Sequence, residues 1–189
     1  MRLFVAVDLS EEARRAMAAE QKRIAAALGG RQTSVKWVRP EHMHLTLVFL
    51  GSVDEARAGA VVDAIGRDVD AAPFDMVFDG VGVFPPHGEP RVLWTGVRQG
   101  AAELVTLHRE LGQRAAALGI ALEERTFHPH LTLGRWRESR RQDRQRALAA
   151  AEGCDPIARV HVQCATLYES RLSPSGPAYT ALAHANLTR

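Results

Sequence analysis

The tetrapeptide His-Leu-Thr-Leu occurs twice in the chain, at residues 44–47 and again at residues 130–133. Histidine titrates near neutral pH, so one imidazole of a facing pair can accept a proton while the other donates one. A hydroxyl two residues further on lies on the same side of an extended strand, where it can donate to an anionic oxygen. Two such strands meeting face to face would suit cleavage of a phosphodiester without a metal ion.

Strand alternation separates a reactive face from a packing face in each motif. His44 and Thr46 share one face of the first strand, and His130 and Thr132 share one face of the second. The leucines point the other way, and burying them fixes the register, because a slip of one residue would bury the polar face. We predict that the two histidines are the catalytic pair and that both threonines bind phosphate oxygens.

A metal site is the competing interpretation. His42 and His128 lie two residues before the motif histidines, and histidines at this spacing on a strand can bind zinc. Pro129 would distort the edge of the second strand, however, and a metal site gives the threonines no purpose. Cys154 and Cys164 lack the Cys-x-x-Cys spacing of a zinc site and are expected to be reduced, part-buried thiols. We therefore predict no metal and no cofactor.

Strands and helices recur in the same order on both sides of a turn-rich segment at residues 85–90. From residue 3 to the first motif histidine is 41 residues, and from residue 91 to the second is 39. The predicted strands are Leu3–Asp8, a stretch within Lys36–Gly51, Phe74–Phe84, Arg91–Val97, a stretch within Phe127–Trp136, Ile157–Tyr168 and Tyr179–Asn186, and the predicted helices are Glu11–Leu28, Asp54–Val69, Ala101–Leu118 and Ser139–Ala151.

This order predicts a duplicated α+β fold. We expect one domain over residues 1–189, with two lobes built from repeats at approximately residues 1–84 and 91–170. Each lobe would be a mostly antiparallel sheet covered by outer helices. The two His-x-Thr-x motifs would line a central cleft near the axis that relates the lobes.

Composition narrows the class of protein without naming a substrate. The formal net charge of the 189 residues is +2, which does not indicate a general polyanion binder. Six arginines fall within residues 135–146 and could face RNA, although a solvated helix face explains the outer four. The chain lacks an apolar run of the roughly 18 residues that a membrane helix needs, and Asp8 interrupts the apolar N-terminal segment too early for a signal peptide. We expect a cytoplasmic monomer with no membrane contact.

Nearly the whole chain resembles the 2H phosphoesterases, specifically the bacterial and archaeal RNA 2′,3′-cyclic phosphodiesterases, also called 2′-5′ RNA ligases. The resemblance rests first on the two motifs and the residues that follow them. The other matching segments are Arg2–Ala6, Lys36–Pro40, Gly82–Pro85, Arg91–Trp94 and Leu167–Pro174.

The resemblance implies metal-free hydrolysis of a terminal 2′,3′-cyclic phosphate on RNA to a 2′-phosphomonoester. It implies that His130 is the proton acceptor that activates water and that His44 is the proton donor to the departing 3′ oxygen. With a 5′-hydroxyl in place of water, the reverse reaction would make a 2′-5′ linkage. The near-identity of the two motifs leaves these roles open as far as the residues alone are concerned.

Further contacts to the substrate are expected near the second motif and from aromatic rings. Arg135 is the candidate for a third phosphate contact, although it reaches the site only if Gly134 bends the strand. The candidates for stacking on a nucleotide are Phe49, Trp94, Trp136 and Tyr168, and each fits a core position at least equally well.

The predicted partner is RNA with a 2′,3′-cyclic phosphate end, or a nucleotide. One alternative keeps the chemistry and changes the substrate to a small cyclic nucleotide such as ADP-ribose cyclic phosphate. Another is an RNA-end-binding protein with residual activity.

Overall fold

A computed structural model describes residues 1–29, 34–152, 156–173 and 176–189 of the chain. The helices in these residues are α1 (Glu11–Ala27), α2 (Glu55–Ile65), α3 (Ala101–Ala117) and α4 (Arg141–Ala151). The strands are β1 (Arg2–Asp8), β2 (Val35–Trp37), β3 (His44–Ser52), β4 (Phe74–Phe84), β5 (Val92–Gln99), β6 (His130–Trp136), β7 (Ala158–Val162), β8 (Cys164–Ser173) and β9 (Gly176–Asn186). A short 3-10 helix, Pro40–His42, lies just before β3.

The strands form two antiparallel sheets. The first sheet has the order β3-β1-β8-β9 and the second has the order β2-β6-β5-β4-β7. Helices α2 and α3 pack together and contact β9 and β3 of the first sheet, whereas α1 and α4 pack together and contact β7 and β4 of the second. The predicted α+β fold of two antiparallel sheets with outer helices is confirmed.

The two sheets repeat one strand order once the short β2 is set aside. Strands β3, β1, β8 and β9 of the first sheet occupy the places of β6, β5, β4 and β7 in the second. The lobes nevertheless differ from the predicted ranges of residues 1–84 and 91–170, because β4 pairs with β5 and β8 pairs with β1. The first half of the chain thus gives β4 to the second sheet, and the second half gives β8 and β9 to the first. The spacing of a repeat cannot reveal which sheet a strand joins.

The predicted strand Ile157–Tyr168 is also corrected. It is two strands, β7 and β8, separated at Gln163. β7 is the last strand of the second sheet and β8 lies inside the first, so the chain crosses between sheets at this point. Cys164 begins β8 as a free thiol of intermediate burial, and Cys154 lies outside the described residues.

Helix α1 shows how local sequence sets an element. It begins after Ser10, whose side-chain oxygen accepts a hydrogen bond from the backbone N–H of Ala13 at 3.2 Å. Such a cap contributes about 1 kcal/mol. Met17 and Ile24 on the same helix are fully buried. None of the described helices is both long and apolar enough to cross a membrane.

Candidate active site

The two motif strands lie side by side where the sheets meet. In the described residues β3 is an edge strand, and the short β2 covers the later part of the outer edge of β6. β2 pairs with Gly134–Trp136, which leaves the start of β6 unpaired on that side. β3 contacts β6 across this opening. His44 and His130 are the first residues of these strands, so both imidazoles reach the same cleft.

Both motifs show the predicted alternation. The motif histidines and threonines are partly exposed, whereas the four leucines, at positions 45, 47, 131 and 133, are at most 2% exposed. Neither Thr46 nor Thr132 makes a side-chain hydrogen bond to another described residue. Both hydroxyls are therefore available to a ligand in the cleft.

A β-bulge follows the threonine in the second motif. Thr132 lies opposite Trp94, but Gly134 lies opposite Leu93, so Leu133 is an extra residue in β6. Beyond a bulge the alternation of faces shifts by one residue. Arg135 therefore lies on the same face as His130 and Thr132. In an ideal strand it would lie on the opposite face, so the bulge supplies the bend that Arg135 needs to reach the site.

The same bulge occurs in the first motif. Thr46 lies opposite Ala6 and Val48 opposite Val5, so Leu47 is the extra residue. Phe49 then takes the place in β3 that Arg135 takes in β6. It is 38% exposed, and the guanidinium of Arg2 lies 5.0 Å from the centre of its ring. At this matched position one strand presents an aromatic ring and the other presents a cation.

Tyr179 of β9 links the two halves of the site, and its sequence context had not singled it out. Its ring meets the ring of His44 edge-on, with centroids 5.2 Å apart. Burial raises the pKa of Tyr179, and the positive charge of Arg135 acts against this rise. The charge of Arg135 also lowers the pKa of His130. Arg135 therefore lies within electrostatic range of residues from both lobes.

Backbone carbonyl groups orient both imidazoles. Nδ1 of His130 lies 2.7 Å from the carbonyl oxygen of His128. A carbonyl only accepts hydrogen bonds, so Nδ1 carries the proton and Nε2 is the ring nitrogen left for chemistry. His44 makes the corresponding backbone hydrogen bond with His42.

Through their backbone carbonyl groups, His42 and His128 thus orient the two motif imidazoles. This structural function differs from the metal binding that was the competing interpretation. His42 ends the 3-10 helix and does not lie on β3. Within the described parts of the chain, no cluster of three His, Cys, Asp or Glu side chains has a geometry that could hold a metal ion.

The charges around the two imidazoles differ. Burial is the largest influence on both and lowers the pKa of His44 and the pKa of His130 below the usual value, while the backbone hydrogen bonds act against it. The negative charge of Asp8 raises the pKa of His44, whereas the positive charge of Arg135 lowers the pKa of His130 further. Asp8 therefore favours a proton on His44, whereas Arg135 disfavours a proton on His130.

Asp8 is the centre of a hydrogen-bonded group beside the first motif. It lies opposite His44 in the β1–β3 ladder. Its carboxylate accepts hydrogen bonds from Thr166 at 2.8 Å and from the Tyr168 hydroxyl at 2.6 Å. Nδ1 of His184 lies 3.1 Å from the Thr166 hydroxyl oxygen. Burial, together with the bond to Asp8, raises the pKa of Tyr168, so this phenol remains a donor that holds the carboxylate in place.

The second sheet has no counterpart of this group. Strand registers define the equivalent positions. In the first sheet β3 pairs with β1, which pairs with β8, and in the second β6 pairs with β5, which pairs with β4. The equivalent pairs are Asp8 and Gly96, Thr166 and Gly82, and Tyr168 and Phe84. An anion and its two hydroxyl donors beside one histidine are thus replaced by two glycines and a phenylalanine beside the other.

Aromatic rings fill the space next to His130. Trp94 stacks on Phe84 with centroids 4.9 Å apart, and its centroid is 6.1 Å from that of His130. A Cβ atom at Gly82 would lie 2.2 Å from the Trp94 ring, so only glycine leaves room for the indole. Of the predicted stacking residues, Trp94 therefore borders the catalytic face of the second sheet. Tyr168 is committed to Asp8.

Sequence comparison agrees with this geometry. The family profile described as LigT like Phosphoesterase matches two consecutive segments of the chain, residues 7–94 and 96–179. The chain belongs to this family of LigT-like phosphoesterases. Each motif strand lies within one of the two matched segments.

Known LigT-like proteins match the chain over nearly its full length. A protein of Archaeoglobus fulgidus named RNA 2′,3′-cyclic phosphodiesterase is 34% identical, with 96% of this chain and 98% of the relative covered. A protein of the same name from Thermotoga maritima is 35% identical, with 96% and 93% covered. The crystal structure of E. coli LigT complexed with 3′-AMP has a TM-score of 0.77 and 30% identity, with 100% of this chain and 98% of that chain covered.

Asp8 and Tyr179 are the two site residues that sequence reasoning missed. Asp8 did carry a signal, because it is a carboxylate at the end of an otherwise apolar strand. That signal points to the site only when the register places it opposite His44. Tyr179 carried none, because β9 comes from a part of the chain with no motif.

Proposed function

We propose that this LigT-like phosphoesterase hydrolyses a terminal 2′,3′-cyclic phosphate on RNA to a 2′-phosphomonoester. The observation that carries the proposal is the meeting of two His-x-Thr faces in one cleft, each with a backbone-anchored imidazole and a free hydroxyl. The names of the full-length relatives support the choice of a cyclic phosphate at an RNA end.

In the proposed reaction, His130 is the proton acceptor and His44 the proton donor. Nε2 of His130 takes a proton from water, whose oxygen attacks phosphorus. The bond from phosphorus to the 3′ oxygen breaks, and His44 gives its proton to that oxygen. Asp8 supports the assignment because its negative charge favours the imidazolium form of His44, and Arg135 supports it because its positive charge favours neutral His130.

Thr46, Thr132 and Arg135 are proposed to bind the non-bridging phosphate oxygens. Two free hydroxyls and a guanidinium on the catalytic faces can stabilise the charge that develops on those oxygens. With a 5′-hydroxyl in place of water as the nucleophile, the same path would join RNA ends by a 2′-5′ bond.

Nucleotide contacts are proposed for Phe49 and Trp94. Phe49 presents an exposed ring on the catalytic face of β3, and Trp94 lies beside His130. Tyr168 is a weaker candidate, because its hydroxyl is bonded to Asp8. The cytoplasmic location and the monomeric state stay predictions.

Product analysis tests the proposal. RNA with a 2′,3′-cyclic phosphate end is incubated with the protein in the presence of EDTA, and the products are separated by phosphate position. We expect a 2′-phosphate end from the wild type, formed roughly a hundredfold to ten-thousandfold more slowly by His44→Ala or His130→Ala. A 3′-phosphate product, activity abolished by EDTA, or RNA binding without any turnover would contradict it.

A further inference from the structure

The catalytic face of the second sheet continues beyond the cleft as a row of cations. Lys36 on β2 lies directly opposite Arg135 on β6. The ladder extends one residue further, where the backbone N–H of Arg137 donates to the carbonyl of Ser34 at 3.0 Å. Residues that are directly opposite, or two apart on a strand, share a face. Lys36, Arg135 and Arg137 therefore share one face, and the bulge makes it the face of His130.

The three cations of this row are exposed and have no anionic partner in the described chain. Like charges directly opposite in a sheet destabilise it, yet Lys36 and Arg135 form such a pair. Arg98 shows the contrasting arrangement on the same sheet, because Asp79 pairs with it at 3.1 Å. An uncompensated row beside a catalytic cleft is suited to an anionic ligand with several charges.

The arginines of α4 are arranged differently. Arg144 donates to the carbonyl oxygens of Pro85 and Gly88 and so holds a turn. Arg140 and Arg146 line a cavity of about 350 Å³ together with Glu138 and Asp143. That cavity is mixed in charge, and it lies on the side of Trp136, which is opposite to the catalytic face. Arg140, Arg144 and Arg146 are therefore not part of the row.

The spacing of the row fits a single-stranded polynucleotide. Side chains two apart on a strand are about 6.6 Å apart, and each nucleotide contributes one phosphate charge. Arg135 faces the cleft, whereas Lys36 and Arg137 lie beside and beyond it. A strand whose last phosphate is bound in the cleft would bring its preceding phosphates to these two cations.

We propose that the RNA strand on the 5′ side of the cyclic phosphate lies along this row. Arg135 holds the terminal phosphate, and Lys36 and Arg137 contact the phosphates that precede it. This rests on the proposed function and deepens it, because it makes a polynucleotide a better substrate than a free cyclic mononucleotide.

The test compares a short single-stranded RNA that ends in a 2′,3′-cyclic phosphate with cytidine 2′,3′-cyclic phosphate. The variants are Lys36→Gln and Arg137→Gln, singly and together. The matched controls are Lys22→Gln on α1 and Arg109→Gln on α3, which remove exposed cations elsewhere. kcat/KM is measured for both substrates over a range of salt concentrations.

The row predicts that the wild type prefers the RNA at low salt. The slope of log kcat/KM for RNA against log salt should become less negative by about 0.7 for each phosphate contact removed. Turnover of the mononucleotide should stay unchanged in the same variants, which also shows that they are folded. The control variants should keep the wild-type slope.

Equal kcat/KM and equal salt slopes for the two substrates would overturn the row and leave the proposed function standing. An unchanged slope in the double variant would have the same meaning. Fluorescence anisotropy of the same RNA needs no turnover, and unchanged salt-dependent binding by the double variant would overturn the row independently. Absence of turnover on both substrates would instead reject the proposed function.

Discussion

The two motif strands share a backbone arrangement and differ in what surrounds it. Both begin with His-Leu-Thr-Leu, both carry a bulge at the second leucine, and both anchor the imidazole to the carbonyl two residues earlier. The first has Asp8 opposite its histidine and Phe49 past the bulge. The second has Gly96 and Arg135 at those positions. A duplicated fold thus positions two equivalent imidazoles, and a few side chains around them can assign one to donate and the other to accept a proton.

The largest expected effect comes from removing either imidazole. His44→Ala and His130→Ala should each lower kcat by roughly a hundredfold to ten-thousandfold, because each removes one proton-transfer group. Steady-state turnover of a cyclic mononucleotide measures this. His161→Ala is the control, because His161 is an exposed residue on β7. A loss below about tenfold for either variant would contradict a working pair.

Removing the cation that distinguishes the second strand should have the next largest effect. Arg135→Gln should lower kcat by on the order of a hundredfold to a thousandfold, as loss of a donor to a developing anion does. It should also raise the pKa of His130. Because the base must be neutral, the acidic limb of the pH profile of kcat/KM should move to higher pH.

The equivalent position in the first strand supplies the control for Arg135. Phe49→Leu removes a ring and no charge, so neither limb of the pH profile should move. If Arg135→Gln leaves the acidic limb in place, Arg135 does not set the charge state of the base.

Removing the anion beside the first strand should have a smaller effect. Asp8→Asn keeps the size of the side chain and one of the two oxygen acceptors that Thr166 and Tyr168 use, but it loses the charge that raises the pKa of His44. Because the acid must be protonated, the basic limb of the pH profile should move to lower pH. kcat near neutral pH should fall by no more than about tenfold.

Asp75→Asn is the control for Asp8. Asp75 is a carboxylate on β4 that is paired with Arg159 and His161 of β7, the edge strand of the second sheet away from β6. It should leave the profile unchanged. A shift of the acidic limb instead of the basic limb in Asp8→Asn would reverse the assignment of roles.

The smallest expected effect is on stability. Gly82→Ala places a methyl group against the Trp94 ring, and overpacking of this kind costs roughly 1–3 kcal/mol in the free energy of unfolding. Gly59→Ala is the control, because a Cβ there meets nothing within 4 Å and alanine favours a helix by up to about 1 kcal/mol. Urea denaturation compares the two. Equal stability of Gly82→Ala and the wild type would show that the indole is not fixed as described.

Local sequence was sufficient for most elements and for the catalytic faces. Phe74–Phe84 is a strand over its predicted residues, and Ser10 caps α1, because alternation and capping are local properties. The repeated motif predicted that His44 and His130 form the catalytic pair, because equivalent strands of a duplicated unit come together at the axis that relates its two halves.

The features that sequence could not give depend on pairing between distant strands. Exchange of β4 and β8 between the sheets leaves no mark in the order of elements. The bulge at Leu133 decides whether Arg135 faces the cleft, and it is visible only in the register with β5. Asp8 and Tyr179 reach the site through ladders to partners far away in the chain.

Which histidine donates the proton and which accepts it can be measured with a 2′,3′-cyclic phosphate whose 3′ bridging oxygen is replaced by sulfur. A thiolate leaves without a proton, because a thiol is far more acidic than an alcohol. His44→Ala should then turn over this substrate within about tenfold of the wild type, while His130→Ala should keep its full loss of roughly a hundredfold to ten-thousandfold. Recovery of His130→Ala in place of His44→Ala would show that the unequal surroundings of the two strands do not assign the acid and the base as proposed.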